Sequence, residues 1–327
     1  MQRKTLTNRR HWLLAFGACL ALLGLGPSVA VADEPTFPKE KQGDWHVLLG
    51  VPASHLGIKD QDTGLIGGKV KIEGDRLTLV SPGEKSETLL VADCKVLAEQ
   101  RVDEKKRPLP GREAETKLSG KVTGERRLIW AESQTGILHV KILTSEPKIT
   151  GTYKGIYLSN SFGGGPETLY LALRRQAVPA QVKHGKADDA KRLLGEWTAV
   201  AHYDDDVLKE PGLTDKRTFS ITAERINELD DKGKLRRPPI GFWGTYRFAD
   251  PVGPLGAIDL QLESWAGGGD GLMGRAPSLY AFYGDDLLYI AYCEQPRKGP
   301  EDQRPRAPRL RSDGSHNLFI LERTKKR

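Results

Sequence analysis

Residues 195–203 read Gly195-Glu196-Trp197-Thr198-Ala199-Val200-Ala201-His202-Tyr203, and after a polar stretch come Thr218-Phe219-Ser220-Ile221 and Arg225-Ile226-Asn227-Glu228-Leu229. Trp197, Ala199, Ala201 and Tyr203 fall at every second position, as do Ile258, Leu260 and Leu262 further on. In an extended chain that spacing puts them on one face, so each run reads as a strand with one buried side. Clusters of Gly, Pro and Asp end each run, and helical periodicity is nearly absent. The spacing predicts eight strands, at about 196–203, 216–222, 224–229, 243–249, 257–264, 278–283, 286–293 and 317–323. Short strands that each bury one face leave no unpaired edge if the sheet closes on itself, so the expectation is an antiparallel β-barrel.

Working outward, the first half repeats this pattern. Gly43-Asp44-Trp45 matches Gly195-Glu196-Trp197 at an offset of 152. An offset of 149 then places Val70 and Ile72 on Phe219 and Ile221, and Asp75-Arg76-Leu77 on Glu224-Arg225-Ile226. The same offset puts Leu138 and Val140 on Leu287 and Tyr289, and Leu169-Tyr170-Leu171 on Leu318-Phe319-Ile320. A shared register over about a hundred residues predicts two tandem barrels, since repeats report whole architectural units. The organisation expected is a first barrel over 33–175, a linker over 176–190 and a second barrel over 191–327, with a single helical turn over Asp188 to Leu194 capped by Asp188 or Asp189.

Ahead of both lies a leader at residues 1–32. Arg3, Lys4, Arg9 and Arg10 precede the apolar run Trp12 to Leu25, and Ala30-Val31-Ala32 offers small residues before Asp33. These are the three regions of a signal peptide cut after Ala32, and about fourteen apolar residues fall short of the roughly twenty that span a bilayer. Arg9-Arg10-His11-Trp12-Leu13 also fits twin-arginine export, whereas Phe16 fits poorly before a lipidated Cys19. Of the formal +7, four cations leave with the leader, and 46 basic residues remain against 43 acidic ones. So even a balance gives no electrostatic footprint for nucleic acid. With 38% hydrophobic and 28% charged residues and no second long apolar run, a membrane-embedded body is excluded too. Cys94 and Cys293 then lie in different halves, where they either join the two barrels by a disulfide or stay as separate buried thiols, the simpler expectation.

Gly195-Glu196-Trp197, the Phe219-Ser220-Ile221 and Glu224-Arg225-Ile226 hairpin, Gly244-Thr245-Tyr246-Arg247-Phe248, Ala257-Ile258-Asp259-Leu260 and the closing Leu318 to Arg323 resemble an uncharacterised lipocalin-like domain family of planctomycete bacteria. The resemblance covers residues 188–327. It implies a lipocalin-like barrel and export, and brings no activity or catalytic residues with it. The chain departs from that family in a longer, more basic segment at Pro296 to Arg311 and in the later position of Cys293.

Motifs that name a reaction are missing. No Gly-Lys pair is followed by Ser or Thr as a phosphate loop requires, and no His-Glu-x-x-His or paired Cys motif occurs. Gly269-Asp270-Gly271-Leu272-Met273-Gly274 matches GxGxxG, but Pro277 follows where a helix should begin, so it reads as a flexible loop. His46, His55, His139, His184 and His316 share no spacing with a nucleophile. Asp204, Asp205 and Asp206 beside His202 lack calcium-loop spacing and read as a solvated turn, so neither metal nor other cofactor is expected.

In an up-and-down barrel the first, third, fifth and seventh connections share one rim, and those are the long ones here. Asp204 to Asp206, Arg236, Arg237, Arg304, Arg306 and Arg309 would ring that mouth. Trp197, Phe219, Tyr246 and Phe248 would line a cavity beneath it. The expectation is an exported, non-enzymatic protein binding a small apolar or amphipathic ligand. The alternative is an envelope interaction module with filled barrels, its loops gripping an anionic partner; a hydrolase at the mouth ranks below both.

Overall fold

The computed structural model describes residues 36–51, 65–96, 112–133, 135–143, 169–204, 207–209, 217–230, 232–235, 243–263, 272–293 and 316–324. Two closed eight-stranded antiparallel barrels follow one another in the chain. The first holds β1 (Gly43–Val51), β2 (Lys69–Glu73), β3 (Arg76–Val80), β4 (Thr88–Val96), β5 (Arg112–Gly120), β6 (Gly124–Glu132), β7 (Leu138–Leu143) and β8 (Leu169–Arg174), with β8 closing on β1. Helix α1 (Lys186–Leu193) leads into the second, built from β9 (Gly195–Asp204), β11 (Thr218–Ile221), β12 (Arg225–Leu229), β13 (Trp243–Val252), β14 (Leu255–Glu263), β15 (Leu272–Tyr283), β16 (Leu287–Cys293) and β17 (His316–Arg323). β17 closes on β9, and the short β10 (Val207–Lys209) adds a hairpin to β9 outside the ring. The leader, Cys19, His55 and the basic residues Arg236, Arg237, Arg304, Arg306 and Arg309 lie outside the described residues. No described helix is long and apolar enough to cross a membrane.

Alternation builds both lumens. Val70 and Ile72, then Leu77 and Leu79, point inward from β2 and β3, as Phe219 and Ile221, then Ile226 and Glu228, do from β11 and β12. Each barrel begins with the same clamp. Trp45 and Trp197 are buried, and each indole N–H donates at 2.9 Å to the carbonyl four residues back, Lys41 and Leu193. Arg175 and Arg323 lie over the two indole rings at 3.9 and 4.2 Å and donate to carbonyls of the entering chain. Gly43 and Gly195 hold φ values of 98° and 122°, which favour glycine, and a Cβ on either would press on its arginine.

Four expectations need correction. Trp197 and Ala199 face the lumen, but Ala201 does not, because β9 skips Val200 in its pairing with β17 and the extra residue turns the strand over. The offset of 149 also fails in the last strands. Leu138 pairs with Leu173 and Leu288 with Leu321, so the equivalents of Leu138 and Val140 are Leu288 and Ile290. Leu287 and Tyr289 occupy the opposite face, as a one-residue slip requires. Third, β15 begins six residues earlier than the spacing predicts and takes in Gly274 and Pro277. Pro277 is tolerated there because pairing with β16 starts at Ser278, so its missing N–H breaks no bond on that side. Finally, the helical turn starts earlier than the expected Asp188: α1 runs from Lys186 to Leu193 with Gly185, not Asp188 or Asp189, at its N-cap, and the segment before it pairs at Gln181 with Tyr283.

The barrels share a core of their own. Leu48, Leu49, Ile129, Ala131, Tyr170 and Ala172 on the outside of the first pack with Val200, Leu279, Ala281, Tyr289, Leu318 and Ile320 on the outside of the second. Leu48 is bulged in β1 as Val200 is in β9. The Leu48 carbonyl accepts from the Tyr289 hydroxyl at 2.7 Å, and the Val200 carbonyl accepts from the Thr135 hydroxyl at 3.3 Å. Arg174 and Glu322, equivalent residues of β8 and β17, form an ion pair at 3.1 Å. This face is therefore a pseudo-twofold pairing of like barrels. His139 is a further polar side chain on this face and shares a 2.6 Å hydrogen bond with Tyr170. Burial pushes His139 down to about 3 and Lys141, on the same side of β7, down to about 8.

Candidate functional site

The second lumen has two differently built halves. At the end where the chain enters, rings touch in series: Trp197 to Phe282 at 6.3 Å, Phe282 to Tyr280 at 5.6 Å, Tyr280 to Phe248 at 6.3 Å and Phe248 to Tyr246 at 5.8 Å. The Tyr246 hydroxyl donates to the Thr222 carbonyl at 2.7 Å, fixing the ring to the β11–β12 turn. The Tyr280 hydroxyl donates at 2.9 Å to the buried Asp189 carboxylate of α1, which also meets His184 at 3.0 Å. Burial raises the Tyr280 phenol well above its ordinary range. A phenol so held is a donor, and the cluster fastens α1 across the end of the barrel as a floor. Trp197, Tyr246 and Phe248 thus belong to a filled half.

Phe219 belongs to the other half. It meets Phe319 edge-on at 5.1 Å, and Phe319 stacks on Tyr292 at 6.0 Å. Arg217 lies over Phe319 and Phe219 at 4.9 and 5.6 Å. Its Nε and Nη2 donate to Glu228 Oε1 and Oε2 at 2.9 and 2.6 Å. Glu228 is fully buried, and the Arg217 side chain keeps 19% of its surface exposed. A charge is stable out of water when a bidentate partner meets it, and the ring faces add a cation–π contribution. Sequence reasoning missed this pair. The signal was present: Arg217 falls in step with Phe219 and Ile221, and Glu228 with Ile226, which puts two opposite charges on the apolar side of paired strands.

Up-and-down order brings the connections 205–217, 230–242, 264–271 and 294–315 to the end of the barrel nearest this pair, while the other end has short turns. Asp204 ends β9 there, opposite Asn317 of β17; Asp205 and Asp206 lie outside the described residues. In the first barrel one long connection, 97–111, joins strands at the entry end, while 52–68 and 144–168 join strands at the opposite end, as the long connections of the second barrel do.

The first barrel serves as an internal comparison. The Gly68 carbonyl accepts from the Val47 N–H as the Arg217 carbonyl accepts from the Ala199 N–H, each at 2.8 Å, so Gly68 is the equivalent of Arg217. Val70 and Leu79 pair as Phe219 and Glu228 do, and Ile142 and Leu171 stand for Tyr292 and Phe319. Every member of the aromatic and charged group has a glycine or aliphatic counterpart.

Cys94 lies in the first lumen with its thiol free, 3.5 Å from the Thr116 hydroxyl, and burial pushes it up to about 11. A thiol so placed is a packing residue at neutral pH. The Cys293 side chain lies outside the described residues. Among the described residues no three His, Cys, Asp or Glu side chains converge to hold a metal ion. The chain matches no described protein family, no curated protein and no solved structure.

Proposed function

We propose that the chain is an exported, non-enzymatic binding protein that takes a small apolar or amphipathic ligand at the long-loop end of its second barrel. The observation that carries this reading is the contrast between the two barrels. An ion pair set among Phe219, Phe319 and Tyr292 costs desolvation that Gly68, Leu79 and aliphatic neighbours avoid in the same fold. A ligand's apolar body would lie against the rings, its polar end toward the partly exposed Arg217 side chain. The Arg3 to Ala32 leader supports export, as does the lipocalin-like resemblance of residues 188–327. Native mass spectrometry of the form starting at Asp33 should find bound material. The double substitution Arg217→Met with Glu228→Leu should release it while the barrel stays folded. Bound material retained by the folded double variant would refute the site.

A second reading, an envelope interaction module, draws support from the ring series that fills the entry half of the same lumen. In that case the barrels are rigid holders, and the loops bearing Asp204 to Asp206, Arg236, Arg237, Arg304, Arg306 and Arg309 meet an anionic envelope component. A lumen free of bound material in every preparation, with salt-sensitive retention on anionic polymer, would favour it.

A further inference from the structure

The first barrel is closed at its entry end by the chain that leads into it. Thr36 and Phe37 are buried, and Phe37 stacks on Trp130 at 5.8 Å within the cluster that fills the lumen. Thr36 is held on both sides: its N–H donates to the Asp75 carboxylate at 2.5 Å, and its carbonyl accepts from the Trp130 indole at 3.1 Å. Asp75 also reaches the thiol-bearing strand, because its carbonyl accepts from the Cys94 N–H at 2.8 Å. Thr36 and Phe37 are thus a plug, and Cys94, in the same buried cluster, is joined to it through Asp75.

Ala30-Val31-Ala32 stands immediately upstream. Three residues, Asp33 to Pro35, separate the expected scissile bond from Thr36, at most about 11 Å of extended chain. A leader peptidase works at the membrane face on an extended substrate, while the leader's apolar run occupies the bilayer. So short a tether leaves Thr36 unable to reach its two partners inside a barrel while the bond is being gripped. We infer that removal of the leader precedes docking of Thr36 and Phe37, so that cleavage itself completes the first barrel. The inference rests on the reading of residues 1–32 as a cleaved leader. The second barrel needs no such step, because its floor, α1, is supplied from inside the chain.

Cys94 reports the state of the plug. In a Cys19→Ala, Cys293→Ser background it is the one thiol left of three. An Asp33→Pro precursor, arrested before cleavage in membrane vesicles, should react with a membrane-impermeant maleimide at least tenfold faster than the mature form. An eight-residue Gly-Ser spacer between Pro35 and Thr36 of the arrested precursor should restore protection. Phe37→Ala in the mature form should remove it. Equal protection of the arrested precursor and the mature form overturns the inference, as does fast labelling that persists with the spacer, since the tether is then not the cause. Failure of the leader reading is distinct: N-terminal sequencing of exported wild-type protein would find no start at Asp33.

Discussion

Glu228 illustrates how one residue decides the character of a lumen. Its carboxylate has no solvent contact and meets its charge through two hydrogen bonds from Arg217. Removing one partner strands the other, so Arg217→Met alone should cost about 3 to 5 kcal/mol. The double change with Glu228→Leu, which restores the polarity of the first barrel, should recover most of that loss in urea denaturation. A double variant no more stable than the single one would show that the pair is not coupled. His139 acts in the other direction. Its folded value near 3 lies below the ordinary 6.5, so between those limits the unfolded chain binds the extra proton. Stability is then lost as pH falls from about 6.5 toward 3, by up to about 1.4 kcal/mol per pH unit. His139→Asn should flatten that slope relative to wild type in melts at pH 4, 5 and 6; parallel curves would contradict it. Lys141, pushed down to about 8, carries the same sign in a higher window. Lys141→Met should stabilise at pH 7, with a gain that shrinks as pH rises from about 8 toward 10.5, read by urea titration across that range.

At the scale of elements, the two bulges are the joints of the molecule. A bulge frees one carbonyl from its ladder, and at Leu48 and Val200 a hydroxyl from the opposite barrel takes it up. Tyr289→Phe keeps the ring but leaves the buried Leu48 carbonyl without that donor, so it should cost about 1 to 3 kcal/mol. Thr135→Val, at a longer and part-buried bond, should cost less. Chemical denaturation of both variants checks the order, and the reverse order would mean that the Tyr289 bond adds little. The bulges also explain what was legible here. Strand number and most boundaries in the second half follow from alternation, but a bulge leaves no mark in a period-two pattern, so alternation alone puts Ala201 on the wrong face. One unseen residue is enough to invert every later assignment, and for a similar reason a constant offset sets Leu287 and Tyr289 against lumen residues.

The whole molecule is set by the face between the barrels. Ser278 to Tyr283, Leu287 to Tyr292 and Leu169 to Leu173 are buried on both sides, by a lumen and by the other barrel. Strands covered on both faces read as continuous apolar runs, a signal the sequence carries and which alternation alone passes over. With an apolar core between them, the barrels should unfold in one cooperative calorimetric transition. Ala281→Asp, which places a charge in that core, should split it into two. Two transitions in the wild type would show that the shared face is too weak to couple the barrels.

The sequence by itself determined the class and number of barrels, because period-two burial, turn residues and the repeated Gly-x-Trp are local features read within one strand at a time. The apolar side of the four aromatic candidates was legible for the same reason, and in the fold Trp197, Phe219 and Tyr246 are buried and Phe248 half-buried. Their division between a filled half and a ring-and-charge half was decided by tertiary structure, since Phe219, Phe319 and Tyr292 come from strands distant in the chain and meet only when the sheet closes. The Arg217–Glu228 pair became meaningful only beside Gly68 and Leu79, a comparison that requires strand pairing. The joining of two barrels into one body depended on which outward faces stay apolar once every lumen position is assigned, and that assignment turns on two bulges no spacing rule reveals.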